Sequence, residues 1–210
     1  AQGENDDKVR AIGALAAEGD ADALAMLQAL ADGEVQIAGE RLLWVKNGKA
    51  TDVVTGKEVT PLPDSRDDLV LNNRVRRELA TAISTLKLAA SDPQVRLAAA
   101  KELQGNADDA TLPAIEQALS REQNADVKTL LELTQAAIRL SSSDKAVRIA
   151  AIRALAESRD PNTKMLLLPL LEKKGADFVE PDADVRAEAD HSVRAIDRRL
   201  AVGETIGLVF

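Results

Sequence analysis

Apolar positions along Ser91–Leu119 recur at spacings of three and four: Val95, Ala98, Ala99 and Leu103, then Leu112, Ile115, Ala118 and Leu119. That period belongs to helices with one buried face. Asp92 stands where a cap belongs, and Pro93 where a first-turn proline is tolerated. Gly105-Asn106 stops the first helix and Asp108-Asp109 starts the next. The pattern then returns 52 positions later. Asp92, Val95, Arg96 and Leu103 match Asp144, Val147, Arg148 and Leu155, and upstream Val75, Leu79, Leu86 and Leu88 match Val127, Leu131, Ile138 and Leu140. A repeat of this length means stacked supersecondary units. The block Asn73–Asn124 predicts three helices, near 73–89, 93–105 and 109–121, and the block from Ala125 repeats them. One such hairpin is too thin to bury its own face, so neighbours must stack. The expectation is at least eight helices in a curved stack, with Val75, Val95, Val127, Val147 and Val185 buried alike.

The flanks differ from the repeats. Asp7–Glu18 and Ala21–Leu30 predict a first helix pair turning at Gly19-Asp20. Glu34–Leu62 breaks the helical period: Val35-Gln36-Ile37 alternates, Leu42–Val45 is a short apolar run, and Asn47-Gly48 is a strong hairpin turn. A β-hairpin or meander of three or so strands, inserted between helical repeats and removable without unfolding them, is expected. Trp44 is the chain's single tryptophan. Two readings of it stand: packing the hairpin onto the helices, or anchoring a partner at an interface. Helix resumes at Asp64–Asp68 with serine and aspartate caps. Lys173–Asp184 is a second irregular stretch, and Asp184–Val202 the last helix. Gly203–Phe210 leaves the repeat pattern on an apolar run far shorter than the roughly 20 residues of a membrane span. The natural chain is expected to continue from it into a membrane helix. The domain division is thus 1–33, 34–63, 64–202 and 203–210.

Charge removes several function classes. Lysine plus arginine number 27 against 35 acids, giving −8, and no basic stripe offers itself to nucleic acid. Arg10, Arg76, Arg96 and Arg148 occupy one recurrent place, where hydrogen bonds and ion pairs within the stack are expected. Without cysteine there is no disulfide, thiol nucleophile or thiolate metal site. The only histidine, His191, lacks companions for a zinc or Ser-His-Asp site. The carboxylate pairs Asp6-Asp7, Asp67-Asp68, Asp108-Asp109 and Asp182/Asp184 each precede a predicted helix and read as caps. No calcium loop, Walker A or dinucleotide fingerprint occurs. No catalytic, cofactor-binding or metal-binding residue is therefore assigned, and Trp44 is the one candidate interface residue. The start at Ala1-Gln2 looks like a mature terminus after signal removal, or a trimmed chain.

The run D-P-x-V-R-x-A-A-A-x-x-L at Asp92–Leu103, followed by Gly105, an aspartate and L-P-A-I at Leu112–Ile115, resembles HEAT-like repeats. The resemblance implies an all-α, HEAT-like or armadillo-like α-solenoid, here with a small inserted β-hairpin, presenting a surface to partners.

A closer resemblance joins Leu42–Lys49 (LLWVKNGK), Val54–Lys57 (VTGK), Asn72–Leu88 (NNRVRRELATAISTLKL), Ser91–Leu103 and Leu200–Phe210 (LAVGETIGLVF). In this order they resemble the N-terminal extension of urea ABC transporter permease subunits, in the branched-chain amino-acid-type permease family. That implies a cleaved signal, a non-catalytic periplasmic repeat domain, and a G-x-x-x-G-L-x-F-like lead into the first membrane helix. The implied partners are the periplasmic substrate-binding protein and the membrane part of the same permease chain. Two other readings stand beside it. HEAT-like repeats also occur in phycobilin lyases, although one tryptophan, one histidine and no tyrosine suit a tetrapyrrole cleft poorly. The other is a generic intracellular HEAT-repeat scaffold.

Overall fold

The computed structural model describes residues 2–158 and 162–207, and it is mostly helical with a small antiparallel sheet. Among the described residues the helices are α1 Gln2–Glu18, α2 Ala21–Ala31, α3 Asn73–Lys87, α4 Pro93–Leu103, α5 Leu112–Arg121, α6 Ala125–Arg139, α7 Lys145–Ala156, α8 Thr163–Leu167 and α9 Ala183–Gly207. The chain divides into two compact units between Asn106 and Ala107.

In the first unit, Ile12 of α1, Leu27 of α2 and Val75, Leu79 and Ile83 of α3 share a core. Val75, Leu79 and Ile83 are four apart, so they form one stripe along α3. Lys8 donates to the Val70 carbonyl at 3.2 Å, and Arg74 reaches Asp6 at 2.7 Å, which ties α1 to the start of α3. The helix pair α1 and α2 matches expectation, but α1 begins five residues earlier than Asp7. Asp6-Asp7 therefore lie inside a helix rather than capping one. Between α2 and α3 stands a sheet of five strands, not three: β1 Val35–Ala38, β2 Arg41–Lys46, β3 Lys49–Asp52, β4 Glu58–Val59 and β5 Asp67–Asp68. All neighbours are antiparallel, in the order β4-β3-β2-β1-β5. Asn47 and Gly48 both have positive φ, 51° and 76°, the backbone a tight β2–β3 turn requires. Asp67-Asp68, expected as helix caps, instead pair with Ile37 and Gln36 as β5. The sheet therefore runs to Asp68, past the expected boundary at 63. A two-residue edge strand has no periodicity to read. Side chains reinforce its backbone pairing with β1: Gln36 donates to Asp68 at 3.0 Å and accepts from Arg66 Nε at 2.9 Å.

In the second unit, Ala136, Ala151, Ile152, Leu155, Leu167, Val185, Ala189, Val193 and Ile196 form one core from α6, α7, α8 and α9. Asp108 caps a 3-10 turn, Asp109–Thr111, through a reciprocal box with Thr111, and α5 follows. The irregular stretch after α8 holds a two-stranded hairpin, β6 Lys173–Lys174 with β7 Asp177–Phe178. Helix α9 runs through Gly207, beyond the expected end at Val202. The remainder of the apolar run Gly203–Phe210, residues 208–210, lies outside the described residues. Among the described residues no helix is long and apolar enough to cross a membrane.

Five helices open on the same five-residue box. The sequence Asn/Asp-x-x-Val-Arg/Lys stands at Asn72, Asp92, Asn124, Asp144 and Asp182. In each the first side chain caps amides of the first turn, as Asn72 does for Val75 at 2.9 Å and Asp92 for Gln94 at 2.8 Å. In three, the arginine folds back onto two carbonyls five and six residues earlier: Arg96 onto Ser91 and Ala90, Arg148 onto Ser143 and Ser142, Arg186 onto Pro181 and Glu180, all at 2.7–3.1 Å. The expected intra-stack role of these arginines is what the structure shows. Arg76 reaches one such carbonyl, Leu71 at 3.0 Å, and Arg10 makes an ion pair with Asp7 of its own helix.

The five valines are not equivalent. Val75, Val127 and Val185 are fully buried, whereas Val95 is 37% exposed and Val147 half-buried. The expectation of uniform burial is corrected for those two. In α3, α6 and α9 the buried stripe starts at the valine and continues at the fourth residue after it. In α4 and α7 the core face is Ala99, Ala100 and Leu103, or Ala151, Ile152 and Leu155. That stripe is centred four to eight residues past the valine, which leaves the valine at its edge.

Candidate functional site

Trp44 sits in β2 opposite Val35 of β1 and Thr51 of β3. Opposed residues share a sheet face, so Trp44 lies beside buried Val35, with Ile37 and exposed Leu42 as the next pair. Its ring is half-buried, and its indole N–H donates to Glu34 Oε2 at 2.9 Å. Lys46 stands 3.6 Å from the same oxygen. The indole is thus fixed at its polar tip with part of its ring open, a geometry between the two readings of the sequence.

At the end of β3, Asp52 Oδ1 accepts from the Thr55 amide at 2.8 Å, the Thr55 hydroxyl at 3.0 Å and the Val54 amide at 3.1 Å. The Thr55 amide and hydroxyl, helped by the Val54 amide and the charge of Arg41, hold its carboxyl below the usual aspartate range. This freezes the β3–β4 turn and leaves Val54 at its tip, 85% exposed.

Two grooves open among the described residues. In the first unit a groove of about 680 Å³ runs along α3 and α4, past the end of α2. In the second a groove of about 670 Å³ runs between α6 and α7. They are the same groove in successive repeats. Ala80, Ile83, Ser84, Lys87, Ala98 and Ala99 line the first; the residues 52 positions on, Glu132, Gln135, Ala136, Arg139, Ala150 and Ala151, line the second. Val147 lines the second groove, which is why it does not join the core. Hydrophobic spacing alone could not separate a core stripe from a groove-lining stripe one helical face away.

A charged cluster joins α7 to the start of α9. Arg148 donates from Nη2 to Glu180 Oε1 at 3.2 Å, while its Nε lies 3.2 Å from Oε2. Glu180 Oε1 also accepts the Asp182 amide at 2.9 Å. Burial pushes the Asp182 carboxyl up, but the Val185 and Asp184 amides and Lys145 outweigh it and leave it below its usual value. Asp184 and Asp182 together raise the Lys145 ammonium. The guanidinium of Arg153, 2.8 Å from Glu188, holds that carboxyl low. Two cations stand over the Phe178 ring, Arg186 at 4.3 Å and Lys173 at 4.7 Å from its centre. These pairings join α7 to the start of α9.

His191 is exposed on α9. Among the described residues no group of three or more histidine or acidic side chains is placed to hold a metal ion. No family model, curated protein or solved structure matches the chain.

Proposed function

We propose that this chain is a non-catalytic, HEAT-like helical-repeat domain that docks a protein partner, and that it belongs to the periplasmic side of a urea ABC importer permease. The observation that carries the docking role is the duplicated groove. A repeat that reproduces an open, alanine-floored groove 52 positions on reproduces a surface as well as a core. The five capped helix starts, three of them also locked by an arginine, support the solenoid reading, because each gives its helix a rigid origin. The urea-importer assignment rests on the resemblance of five segments, from LLWVKNGK at Leu42–Lys49 to LAVGETIGLVF at Leu200–Phe210. Its partner in this reading is the importer's substrate-binding protein. The membrane connection is tested by the natural sequence after Phe210. A run of about 20 apolar residues is expected there; a stop or a polar tail refutes the permease assignment.

A further inference from the structure

We propose that the groove between α6 and α7 receives a basic amphipathic helix of the partner; this deepens the docking role proposed above. The α7 wall presents Val147, Ala150 and Ala154, at i, i+3 and i+7, above the buried Ala151. Ala150 and Ala154 are exposed, so among the described residues nothing covers this face. Side chains this small let a third helix approach closely along the line of the groove. The rim supplies the sign of the partner's charge. Glu132 on α6 and Glu157 after α7 both line the groove, and among the described residues neither has a cation partner. The rim's one cation, Arg139, is already held by Glu116 at 2.8 Å. An apolar floor between unpaired carboxylates is complementary to a helix with one apolar stripe flanked by lysine or arginine.

The acidic rim is not a by-product of the repeat. The positions equivalent to Glu132 and Glu157 are Ala80 and Gly105. The equivalent groove in the first unit keeps Ala98 and Ala99 but carries Lys87 and Arg76 beside Glu102 and Asp32. A basic helix is therefore directed to the second groove and not the first.

The test uses the full chain and two labelled synthetic helices of about 18 residues, five turns. Both carry leucines at i, i+3, i+4 and i+7; one is flanked by lysines, the other by glutamates. The lysine helix is expected to bind and the glutamate helix not to. The double variant Glu132→Lys, Glu157→Lys, at exposed positions, is expected to weaken binding at least about tenfold, the effect of 1.4 kcal/mol. Ala150→Arg is expected to do the same. A charge-matched control, Glu18→Lys with Asp22→Lys, and the first-groove variant Ala98→Arg are expected to leave affinity unchanged. Circular dichroism confirms that each variant is folded, and the charge reversal alone decides the matter if Ala150→Arg is not. Equal binding of the two helices, or equal loss in the controls, overturns the proposal. If the substrate-binding protein docks while these variants leave it unaffected, the groove assignment falls and the docking role stands. If the lysine helix binds but the substrate-binding protein does not, the partner assignment falls instead.

Discussion

Arg148 and Glu180 form an ion pair almost wholly removed from water, with 14% and 6% of their side-chain surfaces exposed and Nε 3.2 Å from Oε2. Arg148 lies in the first turn of α7, and Glu180 lies in the turn before α9, so the pair fastens the last helix to the repeat. Removing one partner strands the other charge. Glu180→Ala is expected to lower unfolding stability by about 3–5 kcal/mol. The more exposed pair Arg153–Glu188, broken by Arg153→Ala, is expected to cost about 0–1 kcal/mol. Denaturant titration of the two variants checks the ranking, and equal losses contradict it.

The unequal valines give a second prediction. Val127→Ala empties a fully buried site and is expected to cost about 1–3 kcal/mol. Val95→Ala, at a partly open position, is expected to stay within about 0.5 kcal/mol. Thermal unfolding distinguishes this from the uniform burial that the 52-residue spacing suggests.

How far the sequence could be read follows from these positions. The caps Asp92 and Asp144, the Asn47-Gly48 turn and the helix spacing are local signals, and the elements they mark stand as predicted. Asp67-Asp68 could not be placed, because an acidic pair before a helix has the composition of a cap whether or not it pairs with β1. Val95 and Val147 were misplaced because a period of 3.6 fixes one face of a helix but not what lies opposite it. The grooves, and the Arg148–Glu180 pair 32 residues apart, needed tertiary structure. Trp44 stands out in the sequence as the single tryptophan, yet its contact with Glu34 has no sequence signature.

The β3–β4 turn should respond to acid. Asp52 has a folded-state pKa below its ordinary value of about 3.9. Its stabilising effect is therefore present above about pH 4 and is lost as pH falls through the depressed folded value. The protection of the Val54 and Thr55 amides against exchange, relative to their intrinsic rates, is expected to fall in that acid window, and Asp52→Asn is expected to remove that change in protection. A turn whose exchange ignores protonation of Asp52 contradicts the assignment.

Trp44 reports on its own corner, since it is the chain's only tryptophan. Trp44→Phe removes the indole donor to Glu34 and is expected to cost about 1 kcal/mol of stability. If the open part of the ring is an anchor, Trp44→Ala weakens partner binding by roughly 2 kcal/mol or more. Stability loss without loss of binding assigns the ring to packing alone.

The proposed docking role is tested most directly by titrating the purified domain with the substrate-binding protein of the proposed urea importer. Isothermal calorimetry or sedimentation is predicted to show a saturable one-to-one complex in the micromolar range, about −8 kcal/mol. The complex should weaken in the Glu132→Lys, Glu157→Lys variant. Absence of any complex at millimolar concentration, with and without urea, would contradict the account.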